Sequence, residues 1–182
     1  PRIVSITLFV LLYPIPVCTT MAKTSRLKGG VTAPKGFLAS GIRSGIKKPP
    51  MLDLALIASE VQGPIAGVFT TNQIVAAPVI LDRLNLKKQS GRAIIINSGN
   101  ANAFTGPQGL RDTKEIAESV AKGLQTPRHT IFVSSTGVIC PPLPMDHIRR
   151  GIPRLIRGLR REGNLAAQAI MTTDTTDRKS VV

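Results

Sequence analysis

From residue 90 onward, short apolar runs alternate with longer amphipathic stretches, and this alternation is the strongest constraint on the fold. Residues 93–97 form a compact run with three consecutive isoleucines, which has the length of a buried strand. Residues 109–123 then place apolar side chains on one helical face, and residues 130–133 form a second short strand. Strands that alternate with helices predict an α/β fold of packed layers.

Two more helices are expected after this alternation. Apolar residues recur at helical spacing over residues 145–159, although Pro153 should kink or split that helix. Asn164 has the side chain of a helix N-cap, and the helix that it begins would run through Ile170. These elements continue the helical part of the pattern.

The region before residue 90 favours extended structure. Residues 29–45 are rich in glycine, which indicates turns and short extended pieces. Residues 54–59 and 65–70 are apolar runs on either side of Gly63-Pro64, so we expect a β-hairpin there. The fold class is therefore predicted as α/β (α+β), with layered sheets and helices.

The composition fits one globular domain with an aliphatic core. Hydrophobic residues make up 42% of the 182 residues and charged residues 19%, whereas aromatic residues reach only 3%, with no Trp. The core must therefore consist mainly of Ile, Val, Leu and Ala. Cys18 and Cys140 give neither a disulfide framework nor metal-ligand spacing, and His129 and His147 stand apart, so no metal site is expected.

The chain is strongly basic, with 24 Lys and Arg against 10 Asp and Glu and a formal net charge of +14. Such an excess can attract nucleic acid, an anionic membrane, an acidic substrate or an oppositely charged partner chain. Six arginines are concentrated in the basic stretch Arg149, Arg150, Arg154, Arg157, Arg160 and Arg161. A solvated face and nucleic-acid binding both stay open for this stretch. Because aromatics are scarce and no nucleic-acid motif is present, we expect no nucleic-acid partner and no membrane partner.

The N-terminal residues are expected to lie outside the folded domain. Residues 3–17 are mostly apolar, but the run is short for a membrane span and contains two prolines. A signal or transit segment is one interpretation, and an upstream translated extension before a natural start at Met21 is the favoured one. We therefore expect residues 1–28 to be an extension with a loose arm, and residues 29–182 to be the domain.

Three polar segments stand at the ends of predicted strands and helices. Residues 97–103 carry three Asn and a Ser, which can brace an irregular loop. Residues 134–139, which include Thr136 and Gly137, directly follow the predicted strand that ends at Val133, and backbone N–H groups and a hydroxyl there can receive an oxyanion. Residues 171–177 are rich in Thr, a residue type found in caps and in substrate contacts. From the residues alone, a structural role stays open for each segment.

The order of seven segments is more specific than any one of them. They are residues 30–37 (GVTAPKGF), 67–72 (GVFTTN), 76–79 (AAPV), 97–103 (NSGNANA), 135–139 (STGVI), 143–146 (LPMD) and 169–175 (AIMTTDT). In this order the chain resembles, over roughly residues 29–175, the α-chain of the ornithine acetyltransferase/glutamate N-acetyltransferase family of arginine biosynthesis.

The resemblance implies a self-cleaving precursor whose α- and β-chains assemble as an α2β2 heterotetramer. In this family the N-terminal threonine of the β-chain is the nucleophile. It takes acetyl from N-acetylornithine and passes it to glutamate, and bifunctional members also accept acetyl-CoA. The resemblance implies no cofactor apart from acetyl-CoA as a possible substrate. The implied location is the cytoplasm, or an organelle if the source is a eukaryote.

The resemblance also assigns roles to residues of this chain. Thr136 and Gly137 match the family's oxyanion-hole pair, and Thr172 matches a threonine that contacts the substrate, with Thr173 as the alternative. These roles are catalytic for the first two residues and substrate-binding for Thr172.

The sequence departs from the family pattern at several positions. The usual K-G-rich stretch and Ala-Thr cleavage site do not follow the T-T-D-T segment, and Phe104 and Cys140 replace smaller residues. We therefore expect residues 29–182 to be an α-chain domain truncated before the self-cleavage site and inactive alone. The alternatives are a related self-processing aminopeptidase and a non-catalytic basic remnant that binds nucleic acid.

Overall fold

Strands and helices follow one another along residues 29–172, the part of the chain that the computed structural model describes. Within it, the strands are β1 (Phe37–Ile42), β2 (Leu54–Pro64), β3 (Ser90–Asn100) and β4 (Ile131–Val138). The helices are α1 (Ala77–Leu86), α2 (Gly106–Leu124), α3 (Met145–Arg157) and α4 (Asn164–Ile170). Short 3-10 turns at Gly30–Thr32 and Arg128–Thr130 precede β1 and β4. The expected N-terminal extension, residues 1–28, lies outside the described residues.

The described strands form a mixed sheet in the order β1-β2-β3-β4. β1 pairs antiparallel with β2, and β2 antiparallel with β3, whereas β3 and β4 are parallel. The connection between β3 and β4 contains α2, because parallel neighbours need a crossover rather than a tight turn. The predicted α/β (α+β) class is confirmed.

The two faces of the sheet are covered by different helices. Side chains alternate across a strand, so Leu54 and Leu56 of β2 lie on one face, in a cluster with buried residues of α1, α2 and α3. Ala55 lies on the other face, where it packs with Ala166 and Ala169 of α4. This arrangement gives three layers, with the sheet in the middle.

Close packing of α4 depends on a glycine in β1. A methyl group on Gly41 would lie 2.1 Å from the carbonyl oxygen of Leu165, a backbone atom that cannot rotate away. The helix backbone therefore rests almost directly on the strand. This contact brings the end of α4, and the chain that follows it, close to the sheet.

The predicted β-hairpin over residues 54–59 and 65–70 is wrong. Leu54–Pro64 is one strand that pairs with β1 on one side and β3 on the other, so residues 65–70 are not needed as its partner. The register with β3 shifts between Ala58 and Gly63. Pro64 is tolerated because it is the last residue of the strand, where its missing N–H breaks little pairing.

The helical predictions hold with local corrections. α3 runs unsplit from Met145 to Arg157, because Pro153 is exposed and buried Ile152 and Leu155 anchor both sides of it. The short helix from Asn164 through Ile170 is confirmed, although Gly163 occupies its N-cap.

Two features of the helices were not predicted correctly. The burial of Asp112 in α2 was not predicted: this residue is 4% exposed and accepts a hydrogen bond from Gln108 Nε2 at 2.6 Å. α1 was not predicted, although Pro78 in its first turn is a start signal.

Over the described residues, no helix is both long and apolar enough to cross a membrane.

Candidate active site

The parallel pairing of β3 and β4 brings two of the three polar segments side by side. At the carboxyl ends of these strands, Ser98 is the partner of Thr136 and Gly99 is the partner of Gly137. Carboxyl ends of parallel strands are where α/β folds commonly place ligands. The first and second segments therefore lie side by side at one end of the sheet, where β3 and β4 terminate.

Gly99 and Gly137 allow an unusually close approach of the two backbones. Gly137 has φ +133°, and a methyl group on it would lie 2.3 Å from the carbonyl carbon of Gly99 and 2.6 Å from the nitrogen of Asn100. Gly99 itself has φ +102°. Both conformations are ones that glycine adopts without steric penalty. The backbone conformation at this end of the sheet therefore requires glycine at both positions.

The N–H of Gly137 faces away from β3, as alternation along β4 requires. Earlier in the strand, Asp82 Oδ1 of α1 accepts the N–H of Val133 at 3.1 Å, and Asn85 Nδ2 donates to the carbonyl of Ile131 at 2.9 Å. Residues an even number of positions further on present their backbone groups to the same side. In agreement, the carbonyl of Val138 turns the other way and accepts from Ala101 N at 2.8 Å.

The side chain of Thr136 faces the layer that contains α4. Cross-strand partners point to the same face of a sheet, and Ser98, the partner of Thr136, donates from Oγ to the carbonyl of Ala169 in α4. Thr136 is half-buried and Gly137 is exposed. The hydroxyl of Thr136 therefore lies on the α4 face of the sheet, next to the backbone of Gly137 at the end of β4.

The third segment begins on this same side of the sheet. α4 ends at Ile170, and Lys47 Nζ donates to the carbonyl of Met171, the residue before Thr172. Together with the Ser98–Ala169 bond, this holds the start of the segment next to the first two. Thr172 is half-buried, and Thr173 lies outside the described residues.

The loop that carries Lys47 is built around Asp53. This carboxylate is completely buried and accepts hydrogen bonds from Ser44 N (2.7 Å) and Oγ (2.8 Å), and from the N–H groups of Gly45 (3.0 Å), Ile46 (2.8 Å) and Lys47 (3.1 Å). Burial alone would raise the pKa of Asp53, but these bonds, led by that of Ser44, hold it below its ordinary value. This loop was not predicted from the sequence. The one local signal for it is an acidic residue, Asp53, between Leu52 and Leu54.

The asparagines of residues 97–103 act as braces. Asn97 Nδ2 donates to the carbonyl of Asn100 at 2.7 Å, and its Oδ1 accepts from Ser135 Oγ at 2.5 Å. Asn102 Nδ2 donates to Gly109 O and to Thr113 Oγ1, each at 2.8 Å. The structural interpretation of these two asparagines is therefore supported, because their amides are used in bonds within the protein.

The basic stretch is partly neutralised within the domain. Arg149 pairs with Glu115 at 2.5 Å and with Asp146 at 2.8 Å, and Arg160 pairs with Glu162 at 2.8 Å. The hydrogen bond from Arg149 lowers the pKa of Glu115. The described residues contain no group of three or more His, Cys, Asp and Glu placed to hold a metal ion.

An apolar surface adjoins the candidate site. Phe104, Val138 and Ile139 are exposed large hydrophobic residues, and Cys140 is an exposed free cysteine. The N–H of Cys140 donates to the carbonyl of Ala103 at 3.3 Å, which keeps these residues together beyond the ends of β3 and β4.

Solved structures share both the fold and the sequence of this chain. Ornithine acetyltransferase from Mycobacterium tuberculosis, solved in complex with ornithine, matches with a TM-score of 0.81 and 44% identity over 85% of each chain. Arginine biosynthesis bifunctional protein ArgJ from Bacillus halodurans matches with a TM-score of 0.75 and 40% identity, over 81% of this chain and 78% of that one. The described domain therefore has the architecture of an ornithine acetyltransferase chain.

Curated relatives match over a longer protein. The arginine biosynthesis bifunctional protein ArgJ of Caldanaerobacter subterraneus is 51% identical over 82% of this chain and 37% of its own length. ArgJ 1 of Nostoc is 49% identical over 85% of this chain and 38% of its own length. Residues 38–182 match the model of the ArgJ family. The chain belongs to the ArgJ family, and it spans less than half the length of these relatives.

Proposed function

We propose that the chain supplies the oxyanion-binding half of an acetyltransferase active site. In the proposed reaction, the N-terminal threonine of a β-chain attacks the acetyl carbonyl of N-acetylornithine, and ornithine leaves with the proton. The amino group of glutamate then takes the acetyl group from the threonine ester, which restores the hydroxyl. Acetyl-CoA is proposed as a second acetyl donor.

The observation that carries the proposal is the pair of donors at the β4 edge. Each half-reaction passes through a tetrahedral oxyanion, which fixed hydrogen-bond donors stabilise more than they stabilise the substrate. The N–H of Gly137 faces the outer edge of β4, and the hydroxyl of Thr136 lies beside it on the α4 side. A carbonyl oxygen placed against this edge can accept from both.

The position of Thr172 supports its proposed contact with the substrate. The bonds from Ser98 to Ala169 and from Lys47 to Met171 hold this threonine's segment on the same side of the sheet as Thr136. A donor from this segment can therefore reach the part of the substrate that extends from the acetyl group.

The lengths of the relatives support a two-chain enzyme. The curated relatives are much longer than this chain, whereas 85% of the solved Mycobacterium tuberculosis chain is covered by 85% of this one. We propose that residues 29–182 form the α-chain domain and that a β-chain from the same precursor completes an α2β2 heterotetramer in the cytoplasm, or in an organelle of a eukaryote. By this proposal, the 182-residue chain alone gives no sustained acetyl transfer.

The test is Thr136→Ala in the full-length precursor, assayed for ornithine release from N-acetylornithine and glutamate. We expect kcat to fall by about 100- to 1000-fold with a much smaller change in KM, because an oxyanion donor acts on the transition state. Thr136→Ser keeps the hydroxyl and should retain most of the activity.

Self-cleavage must be separated from acetyl transfer in this assay, since it also passes through an oxyanion. Only protein that a denaturing gel shows to be cut into two chains is compared. Fully cleaved Thr136→Ala with near-normal kcat would remove Thr136 from the mechanism.

A further inference from the structure

We propose that Lys47 is a positioning residue that links the two parts of this site, the Thr136–Gly137 edge and the Thr172 segment. The inference rests on the proposed function for its catalytic consequence, but the link itself is a property of this chain. Lys47 lies in neither segment, and it is 89 residues or more before them in the sequence.

The ammonium group of Lys47 bonds to two backbone carbonyls that are far apart in sequence. Nζ donates to the carbonyl of Leu52 at 3.1 Å, within its own loop, and to the carbonyl of Met171. Hydrogen bonds from a charged donor are stronger than those between neutral groups. The second bond fixes the peptide that leads directly into Thr172.

The aliphatic part of Lys47 lies against the other half of the site. A methyl group on Gly99 would come 2.8 Å from Lys47 Cγ and 3.2 Å from Ile46 Cγ2, so the stem occupies the space that this glycine leaves open. Gly99 is in turn the close backbone neighbour of Gly137. One side chain therefore touches the backbone that supports the oxyanion pair and bonds to the backbone that carries Thr172.

Asp53 holds the loop that carries Lys47 in one conformation. Four consecutive backbone N–H groups, of residues 44–47, donate to its carboxylate, so the loop cannot shift without breaking several bonds to a buried charge. Asp53 N and O also bond to Ile42 O and Ser98 N in the sheet. The loop is thereby tied to β1 and β3, and the position of Nζ follows from the position of the sheet.

Hydrogen exchange of the 182-residue chain tests the link without any catalytic assay. Lys47→Met keeps the stem against Gly99 and removes the ammonium group, and Lys48→Met is the matched control because Lys48 is exposed. We expect Lys47→Met to exchange about tenfold faster in a peptide covering residues 166–172, with α2 unchanged, and Lys48→Met to match the parent. Equal exchange in both variants would overturn the link.

Amine labelling of the parent protein provides a second measurement that needs no variant. With acetic anhydride followed by mass spectrometry, Lys47 should react about tenfold more slowly than Lys48, because its ammonium is held by two carbonyls. Similar labelling rates for the two lysines would also contradict the proposal, even if Lys47→Met does not fold.

The catalytic consequence is tested in the cleaved full-length enzyme. Lys47→Met should raise KM for N-acetylornithine about tenfold or more while lowering kcat less, since the Thr172 segment binds substrate and the stem still supports Gly99. A fall in kcat with KM unchanged would refute the positioning of Thr172. If the parent enzyme transfers no acetyl group, the proposed function fails, whereas the exchange and labelling results still decide the link.

Discussion

Gly137→Ala is the most direct test of the backbone geometry at the candidate site. The added methyl group would lie 2.3 Å from the carbonyl carbon of Gly99, and 2.6 Å from both Gly99 O and Asn100 N. All three atoms belong to the backbone of β3, which pairs with strands on both sides. No flexible side chain is available to move away, so the strands themselves must separate.

Two independent costs add at this position. A φ of +133° is a region that side-chain-bearing residues rarely occupy, at a cost of about 1–3 kcal/mol. Forcing an extra methyl group into a packed contact costs about another 1–3 kcal/mol. We therefore expect Gly137→Ala to lower the free energy of unfolding by roughly 2–6 kcal/mol.

Gly106→Ala is the matched control. Gly106 also has a positive φ, +60°, but a methyl group there would meet no atom within 4 Å. Only the left-handed conformation then costs free energy, about 1–2 kcal/mol.

Urea unfolding of the 182-residue variants is best followed by far-UV circular dichroism, because the chain contains no Trp. Equal losses of stability in Gly137→Ala and Gly106→Ala would refute the close approach of β3 and β4.

Two further predictions concern stability and solubility. Burial raises the pKa of Asp82 to about 8, although the hydrogen bond from the Val133 N–H opposes this shift. Because the folded state then holds a proton that the unfolded state has lost, the free energy of unfolding should fall as the pH rises from about 4 to about 8. Asp82→Asn should flatten this dependence in urea unfolding at pH 5 and pH 8, and an equally steep slope in the variant would contradict it. A chain that starts at Met21 should be as soluble as the full chain, or more so, because exposed apolar runs promote association. Unfolding of the shortened chain would instead give residues 1–20 a structural role.

The sequence predicts best where one local signal decides the structure. Residues 93–97 lie within β3 and residues 109–123 lie within α2, because β-branched runs and a one-sided apolar helix face have few alternatives. Of the second predicted strand, residues 131–133 lie within β4, whereas Thr130 belongs to the 3-10 turn before it. The predicted hairpin failed for the opposite reason. Gly63-Pro64 is compatible with a turn, but also with the end of a strand whose partners are found elsewhere in the sequence.

The candidate site was predictable in its parts and not in its assembly. The polar residues of 97–103 and 134–139 indicated strand ends, but nothing local to them specifies that β3 and β4 are parallel neighbours. Lys47 is the clearest case, because its contact with Met171 joins residues 124 positions apart. A lysine beside another lysine and two prolines has the composition of a solvated loop. Only the buried Asp53 gives that loop a defined conformation.

The two halves of the outer edge of β4 differ: α1 covers the first half, and the second half carries the candidate donor Gly137. An unpaired strand edge presents N–H and C=O groups that invite association with other strands. In the first half of β4, Asn85 and Asp82 of α1 bond to Ile131 and Val133 and so satisfy that edge. Four residues after Val133, Gly137 presents its N–H to the same side but lies at the exposed end of the strand. A helix that covered the whole edge would stabilise the sheet further but would also occupy the donor on which the proposed chemistry depends.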